Sequence, residues 1–179
     1  MKIKLIYFFF FGFVISCSQN INEIDLKNSE GIWTNNGKTY SGSVYRIIKK
    51  QKIKLGEIKD GNKFGKWIEF GNIIFRTGEY IQGKRVGKWE GWHSDSAKAY
   101  VGYYENNVKI GLWKGWNKNG TLSYSGNFIK GKKDSVWTYW YENKKISDSG
   151  SYKDDLMIGL WKFYNTDGTL KEEKDFGDN

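Results

Sequence analysis

From Gly56 onward the chain alternates apolar with small or polar residues, broken by turn-forming pairs at regular intervals. In Leu122-Ser-Tyr124-Ser-Gly126-Asn-Phe128 the even positions are apolar or Gly and the odd ones polar, which is the period of a strand and excludes a helix. One set of turn pairs falls at Asp60-Gly61, Gln82-Gly83, Asn106-Asn107, Lys130-Gly131 and Asp154-Asp155. A second falls at Gly71-Asn72, Ser94-Asp95, Asn119-Gly120, Glu142-Asn143 and Asp167-Gly168. Such pairs supply the positive φ of two-residue hairpins, and their spacing leaves strands of about seven or eight residues. The pattern predicts an all-β fold: an elongated, single-layer antiparallel meander of tandem β-hairpins with roughly ten to twelve strands, on the order of 50 Å long.

The strands repeat a common text, Gly-x-aromatic-x-x-(Gly)-x-x-x-Gly-x-Trp-x-x-aromatic. Copies run from Gly56 to Phe70, Gly78 to Trp92, Gly102 to Trp116, Gly126 to Trp140 and Gly150 to Tyr164. Repeated residues usually stack on their own copies. Trp67, Trp89, Trp113, Trp137 and Trp161, with the leading Gly78, Gly102, Gly126 and Gly150, are therefore read as structural. The Gly two before each Trp is expected to make room for a neighbouring ring. Phe70, Trp92, Trp116, Trp140 and Tyr164 follow each Trp by three and so belong to the opposite face. A single layer cannot bury both faces, so this column is the candidate binding face; the other reading is that it serves ladder packing alone. Residues 31–55 form a degenerate N-terminal capping repeat, and its basic run Arg46 to Lys54 predicts a longer hairpin or a loop. Residues 56–176 carry five regular repeats of 22–24 residues, and 177–179 are a tail. Phe176, 24 after Tyr152, is expected to begin a strand that is never completed, its edge blunted by the charged segment from Lys171.

Composition changes the picture mainly at the N-terminus. Residues 1–16 hold a basic start at Lys2 and Lys4, then an apolar run from Leu5 to Ile15. That run is too short for a membrane-spanning helix, which needs about 20 residues, and has the pattern of a secretory signal. It ends at Cys17, the only cysteine of the chain. Val14-Ile15-Ser16-Cys17 resembles a bacterial lipobox, which implies a lipidated Cys17 as the first mature residue; the alternative is an ordinary signal peptide cut near Ser16. A partnerless thiol is unusual in an exported protein, and lipidation removes the difficulty. The expected location is the bacterial cell envelope, facing periplasm or exterior, with residues 17–30 as lipidated Cys and polar tether. The net charge is +9 for the whole chain, but export makes nucleic acid a poor partner. The lysines at Lys49, Lys50, Lys132, Lys133, Lys144 and Lys145 read as solvated turn residues.

The repeats resemble the MORN family (membrane occupation and recognition nexus), in the bacterial variant of YwqK-like antitoxins. The text that carries the likeness is Gly102-Tyr-Tyr-Glu-Asn-Asn-Val-Lys-Ile-Gly111-Leu-Trp113-Lys-Gly-Trp116-Asn-Lys-Asn-Gly120 and its relatives. Ser135 in place of the Gly before Trp137, and Asn107 and Asp155 in place of a turn Gly, depart from it and predict a looser fourth hairpin. The resemblance implies tandem hairpins and protein- or membrane-associated scaffolding. An antitoxin role would require a toxin partner, which an exported chain would not meet in the cytoplasm.

Catalytic vocabulary is sparse. The one histidine, His93, stands beside Ser94 and Asp95, but adjacent residues cannot form a triad and a solvated turn is expected. No zinc set or phosphate loop can be assembled, and Asp134, Asp154 and Asp155 are the nearest approach to a Ca²⁺ site. No enzyme and no cofactor are expected. The expected function is that of an envelope lipoprotein acting as scaffold or binding module for a protein partner. The alternatives are a cell-wall glycan-binding module working through the Phe70–Tyr164 column and a YwqK-like antitoxin.

Overall fold

A computed structural model describes residues 19–71 and 74–178; the expected signal peptide and Cys17 lie outside the described residues. The strands are β1 (Gln19–Asn22), β2 (Lys27–Ser29), β3 (Ile32–Asn35), β4 (Lys38–Thr39), β5 (Gly42–Ile48), β6 (Gln51–Lys59), β7 (Asn62–Phe70) and β8 (Ile74–Ile81). They continue with β9 (Lys84–His93), β10 (Lys98–Glu105), β11 (Val108–Trp116), β12 (Leu122–Ile129), β13 (Lys132–Trp140), β14 (Ile146–Lys153), β15 (Leu156–Tyr164) and β16 (Leu170–Asp175). Thirteen of them form one open sheet in which β5 to β16 follow chain order, and β2, β3 and β4 make a small second sheet. The sheet is a run of hairpins that does not close into a barrel.

Residues 19–30 do not form the expected polar tether. Gln19–Asn22 pair in parallel with Gly42–Tyr45, a turn of 3-10 helix follows at Glu23–Asp25, and Leu26 is buried. Ile21 and Leu26 supply the apolar side chains that hold this segment on the core. Residues 31–55 are tied to the first repeat: Trp33 N donates to Gly61 O, and Gly61 N to Tyr40 O. The basic run becomes the long β5–β6 hairpin, reversed at Lys49-Lys50 with both φ positive.

The first set of turns is as expected. Asp60-Gly61, Gln82-Gly83, Asn106-Asn107, Lys130-Gly131 and Asp154-Asp155 all have both φ positive, the requirement of a type I′ hairpin. The second set is wider than two residues. At Asn117–Thr121 the loop closes by Asn117 N to Thr121 O and Gly120 N to Asn117 O, both 2.9 Å. In the four of these loops after β9, β11, β13 and β15, left-handed backbone falls at Ser96, Gly120, Lys144 and Gly168, one in each. Ahead of it a side-chain oxygen of Asp95, Asn119, Asn143 or Asp167 accepts the amide two residues on.

The Gly before each Trp also has a different task from the one expected. Gly65, Gly87, Gly111 and Gly159 have φ between 58° and 67°, and a Cβ on any of them would meet nothing within 4 Å. Ser135 takes the same conformation at φ 60°. Register shifts fall opposite Gly87, Gly111, Ser135 and Gly159, so these form bulges and leave no socket. The sockets are the leading glycines. A Cβ on Gly56, Gly78, Gly102, Gly126 or Gly150 would lie 2.0–2.4 Å from the ring of Trp67, Trp89, Trp113, Trp137 or Trp161. Where a turn Gly is replaced, Asp155 and Asn107 each accept a main-chain amide, from Lys133 at 2.7 Å and Arg85 at 2.8 Å.

Candidate functional site

Pairing sorts the side chains onto two faces. One, the ladder face, carries the five Trp residues, all nearly fully buried. The rings of Trp67, Tyr80, Trp89, Tyr104, Trp113, Phe128, Trp137, Tyr152 and Trp161 follow one another at 5.0–6.2 Å, each nearly perpendicular to the next. Such edge-to-face pairs add about 0.5–1.5 kcal/mol each beyond burial. Indole N–H groups are satisfied by carbonyl oxygens, as Trp137 by Asn127 at 3.0 Å and Trp161 by Ser151 at 3.0 Å. Trp89 Nε1 is buried without a partner. Phe176 follows β16, the last strand of the sheet, and packs on the last core cluster, so it closes the ladder.

A column of cations lies over these rings. Lys63, Arg85, Lys109 and Lys133 stand four before successive Trp residues, and their charged groups lie 4.5–4.8 Å from the Trp ring centroids. Met157 holds the fifth place, paired across the strand with Tyr152 as Lys109 is with Tyr104. Lys133, expected in solvent, is half-buried over Trp137, Tyr139 and Tyr152 because its alkyl stem covers their edges. Burial, then the nearby Lys133 charge, lowers the pKa of Lys109. The column was legible in the repeat as a Lys or Arg four before each of the first four Trp residues.

At the cap end one carboxylate is shared among several cations. Glu69 accepts from Tyr80 Oη at 2.7 Å and from Arg85 at 3.0 Å, and also pairs with Lys63 and Arg76. Burial alone would raise its pKa; the Lys63 and Arg85 charges with the Lys63 and Tyr80 hydrogen bonds outweigh this and lower it to about 2. Tyr80 is pushed up to about 12 by burial and by the carboxylate it donates to.

The other, outer face has an apolar band at each end with a polar strip between. The sequence-chosen column Phe70, Trp92, Trp116, Trp140 and Tyr164 lies at the second-turn end, and all five are half-buried. Phe75 joins Phe70 to Trp92, stacking on the latter at 5.0 Å. Phe70 also packs against the N-terminal core. The Lys98 ammonium sits 5.7 Å from the Trp116 ring. Among the described residues, Trp116, Trp140 and Tyr164 make no ring pair. The column is therefore no continuous stack. At the first-turn end lies a band that sequence reading passed over: Tyr103, Val108, Leu112, Ile129, Val136, Leu156 and Leu160, each 40–59% exposed. Its signal was the apolar residue just before Trp113, Trp137 and Trp161.

His93 is half-buried, with Nε2 donating to Trp116 O at 3.0 Å, so it spaces two loops and is not simply solvated. Asp95 is occupied by the Ala97 amide. Of the carboxylates weighed for Ca²⁺, Asp134 faces Lys153, Asp154 faces Lys132 and Asp155 takes the Lys133 amide. Among the described residues no three His, Cys, Asp or Glu side chains gather as a metal site, and no helix is long and apolar enough to cross a membrane. No protein-family model matches the chain, and a search of curated proteins finds no match.

Proposed function

We propose that this chain is a non-catalytic, lipid-anchored protein of the bacterial envelope whose outer face docks a protein partner. The observation that carries the reading is the first-turn band: seven apolar side chains well exposed on one face of a single-layer sheet. Isolated exposed apolar residues are ordinary, but a contiguous apolar patch marks an interaction surface. The repeat resemblance to MORN scaffolds and the lipobox-like end at Cys17 support the same reading.

The test is co-purification from crosslinked membranes, comparing the wild type with the double variant Val136→Glu and Leu160→Glu. The expected result is one specific partner lost from the variant while its thermal stability is kept. Equal recovery of every crosslinked protein from both would overturn docking at this face. In the same experiment Cys17→Ala should move the chain into the soluble fraction; unchanged membrane fractionation would overturn the anchor.

A second reading rests on Trp140 and Tyr164, half-exposed rings without ring partners at the other end of this face. Rings so placed can stack on sugars. Titration with envelope polysaccharide fragments would then shift Trp fluorescence saturably, and Trp116→Ala with Trp140→Ala would abolish the shift.

A further inference from the structure

Where the N-terminal cap meets β7, a cavity of about 230 Å³ opens at the surface, lined from both sides of β7, by Trp67 and Glu69 and by Ile68 and Phe70. One wall is apolar, built from Leu26 and Val44 of the cap region with Trp33, Trp67 and Phe70. The other is charged. Arg46, Lys63, Arg76 and Arg85 line it against two carboxylates, Glu23 and Glu69, an excess of two positive charges.

Both carboxylates are already paired. Both oxygens of Glu69 are taken, one by Lys63 and Tyr80, the other by Arg85 and Arg76. Glu23 is taken by Arg46. Arg76 Nε lies 3.1 Å from Glu69 Oε2 yet is not aligned for a hydrogen bond, and this buried atom has no hydrogen-bond partner, although the guanidinium also faces Tyr100. A guanidinium carries five donors in a planar fork, so Arg46 and Arg76 keep donors to spare beside the cavity. Cations in excess of carboxylates in a partly buried site are costly unless an anion or water balances them. The Arg46 guanidinium also lies 4.8 Å over the Phe70 ring, which joins the charged wall to the apolar one.

We propose that this cavity binds a small organic anion, its carboxylate or phosphate head held by Arg46 and Arg76 and its apolar body lodged against Trp33 and Phe70. None of the docking-band residues lines the site, so it stands or falls separately from that band. Guanidinium forks match the planar, two-oxygen edge of either head group.

Calorimetry on the full chain, with Trp fluorescence as a second readout, tests this using octanoate, phenyl phosphate and 1-octanol. The expected result is saturable one-to-one binding of octanoate or phenyl phosphate, with no response to 1-octanol. Which anion binds more tightly assigns the head group. Arg76→Gln and Arg46→Gln should each weaken binding by about tenfold or more. Two variants are used so that a folding defect in one leaves the other informative. The proposal is overturned if neither anion saturates by about 10 mM, if 1-octanol binds as well as octanoate, or if both variants bind like the wild type.

Discussion

Gly126 and Ser135 hold opposite positions in the same hairpin's economy of space. A Cβ on Gly126 would lie 2.0 Å from the Trp137 ring, and the ring is itself locked between Phe128 and Tyr152. Gly126→Ala is therefore expected to cost about 3 kcal/mol, since overpacking forces a large side chain off its rotamer. Urea unfolding would measure this, and a loss below about 0.5 kcal/mol would mean that the ring can slide aside. At Ser135 the space is free but the backbone is wrong, with φ 60°. Left-handed backbone costs a non-Gly residue roughly 1–2 kcal/mol, and Gly adds some entropy to the unfolded chain. Ser135→Gly should thus stabilise by about 0.5–1 kcal/mol. A destabilised variant would show that the Ser135–Asp134 hydrogen bond matters more than the strain.

At the scale of the element, the unit is a hairpin with one Trp in the glycine socket of the strand before it and one long side chain across its rings. The β7 unit adds a buried carboxylate to this plan, and with it a pH dependence. The folded pKa of Glu69 lies at about 2, below its ordinary value of 4.5. A depressed folded pKa contributes stability that is present above pH 4.5 and is lost as pH falls toward 2. The contribution is roughly 2–3 kcal/mol. Wild-type stability should fall by about that amount between pH 4.5 and 2, on top of the loss shared with Glu69→Gln. Parallel pH curves for the two proteins would refute the assignment. The variant should also be less stable at neutral pH, because it leaves Lys63 and Arg85 without their counter-charge.

For the whole molecule, the sheet is nearly one-dimensional: each hairpin touches little beyond its neighbours, so cooperativity must be handed along the ladder. Buried side chains gather into a cap-end cluster reaching Trp89 and a C-terminal cluster around Trp137, Tyr152 and Trp161. Trp113 stands between them, touching Tyr104 on one side and Phe128 on the other. Trp113→Ala is expected to cost about 3–5 kcal/mol and to split unfolding into two transitions. Hydrogen exchange resolved by residue would show the two halves opening at different denaturant concentrations; a single transition would show that backbone pairing alone couples them.

The sequence by itself determined the all-β meander, the first-turn hairpins, the Trp column and the opposite face of Phe70 to Tyr164. Alternation, Asn-Gly-type pairs and a repeat of 24 residues are local properties of the chain, so they can be read without knowing what lies beside each strand. Tertiary structure alone decided the rest. Which Gly is a socket and which a bulge depends on the register between strands, and both look alike in the text. The placement of Lys133 over Tyr152, and of Gln19–Asn22 beside β5, depends on contacts between segments about 20 residues apart. The cavity at Arg76 and the band from Tyr103 to Leu160 are likewise properties of juxtaposed strands. Local periodicity names the face a residue takes, and only the assembled sheet shows what covers that face and what leaves it open.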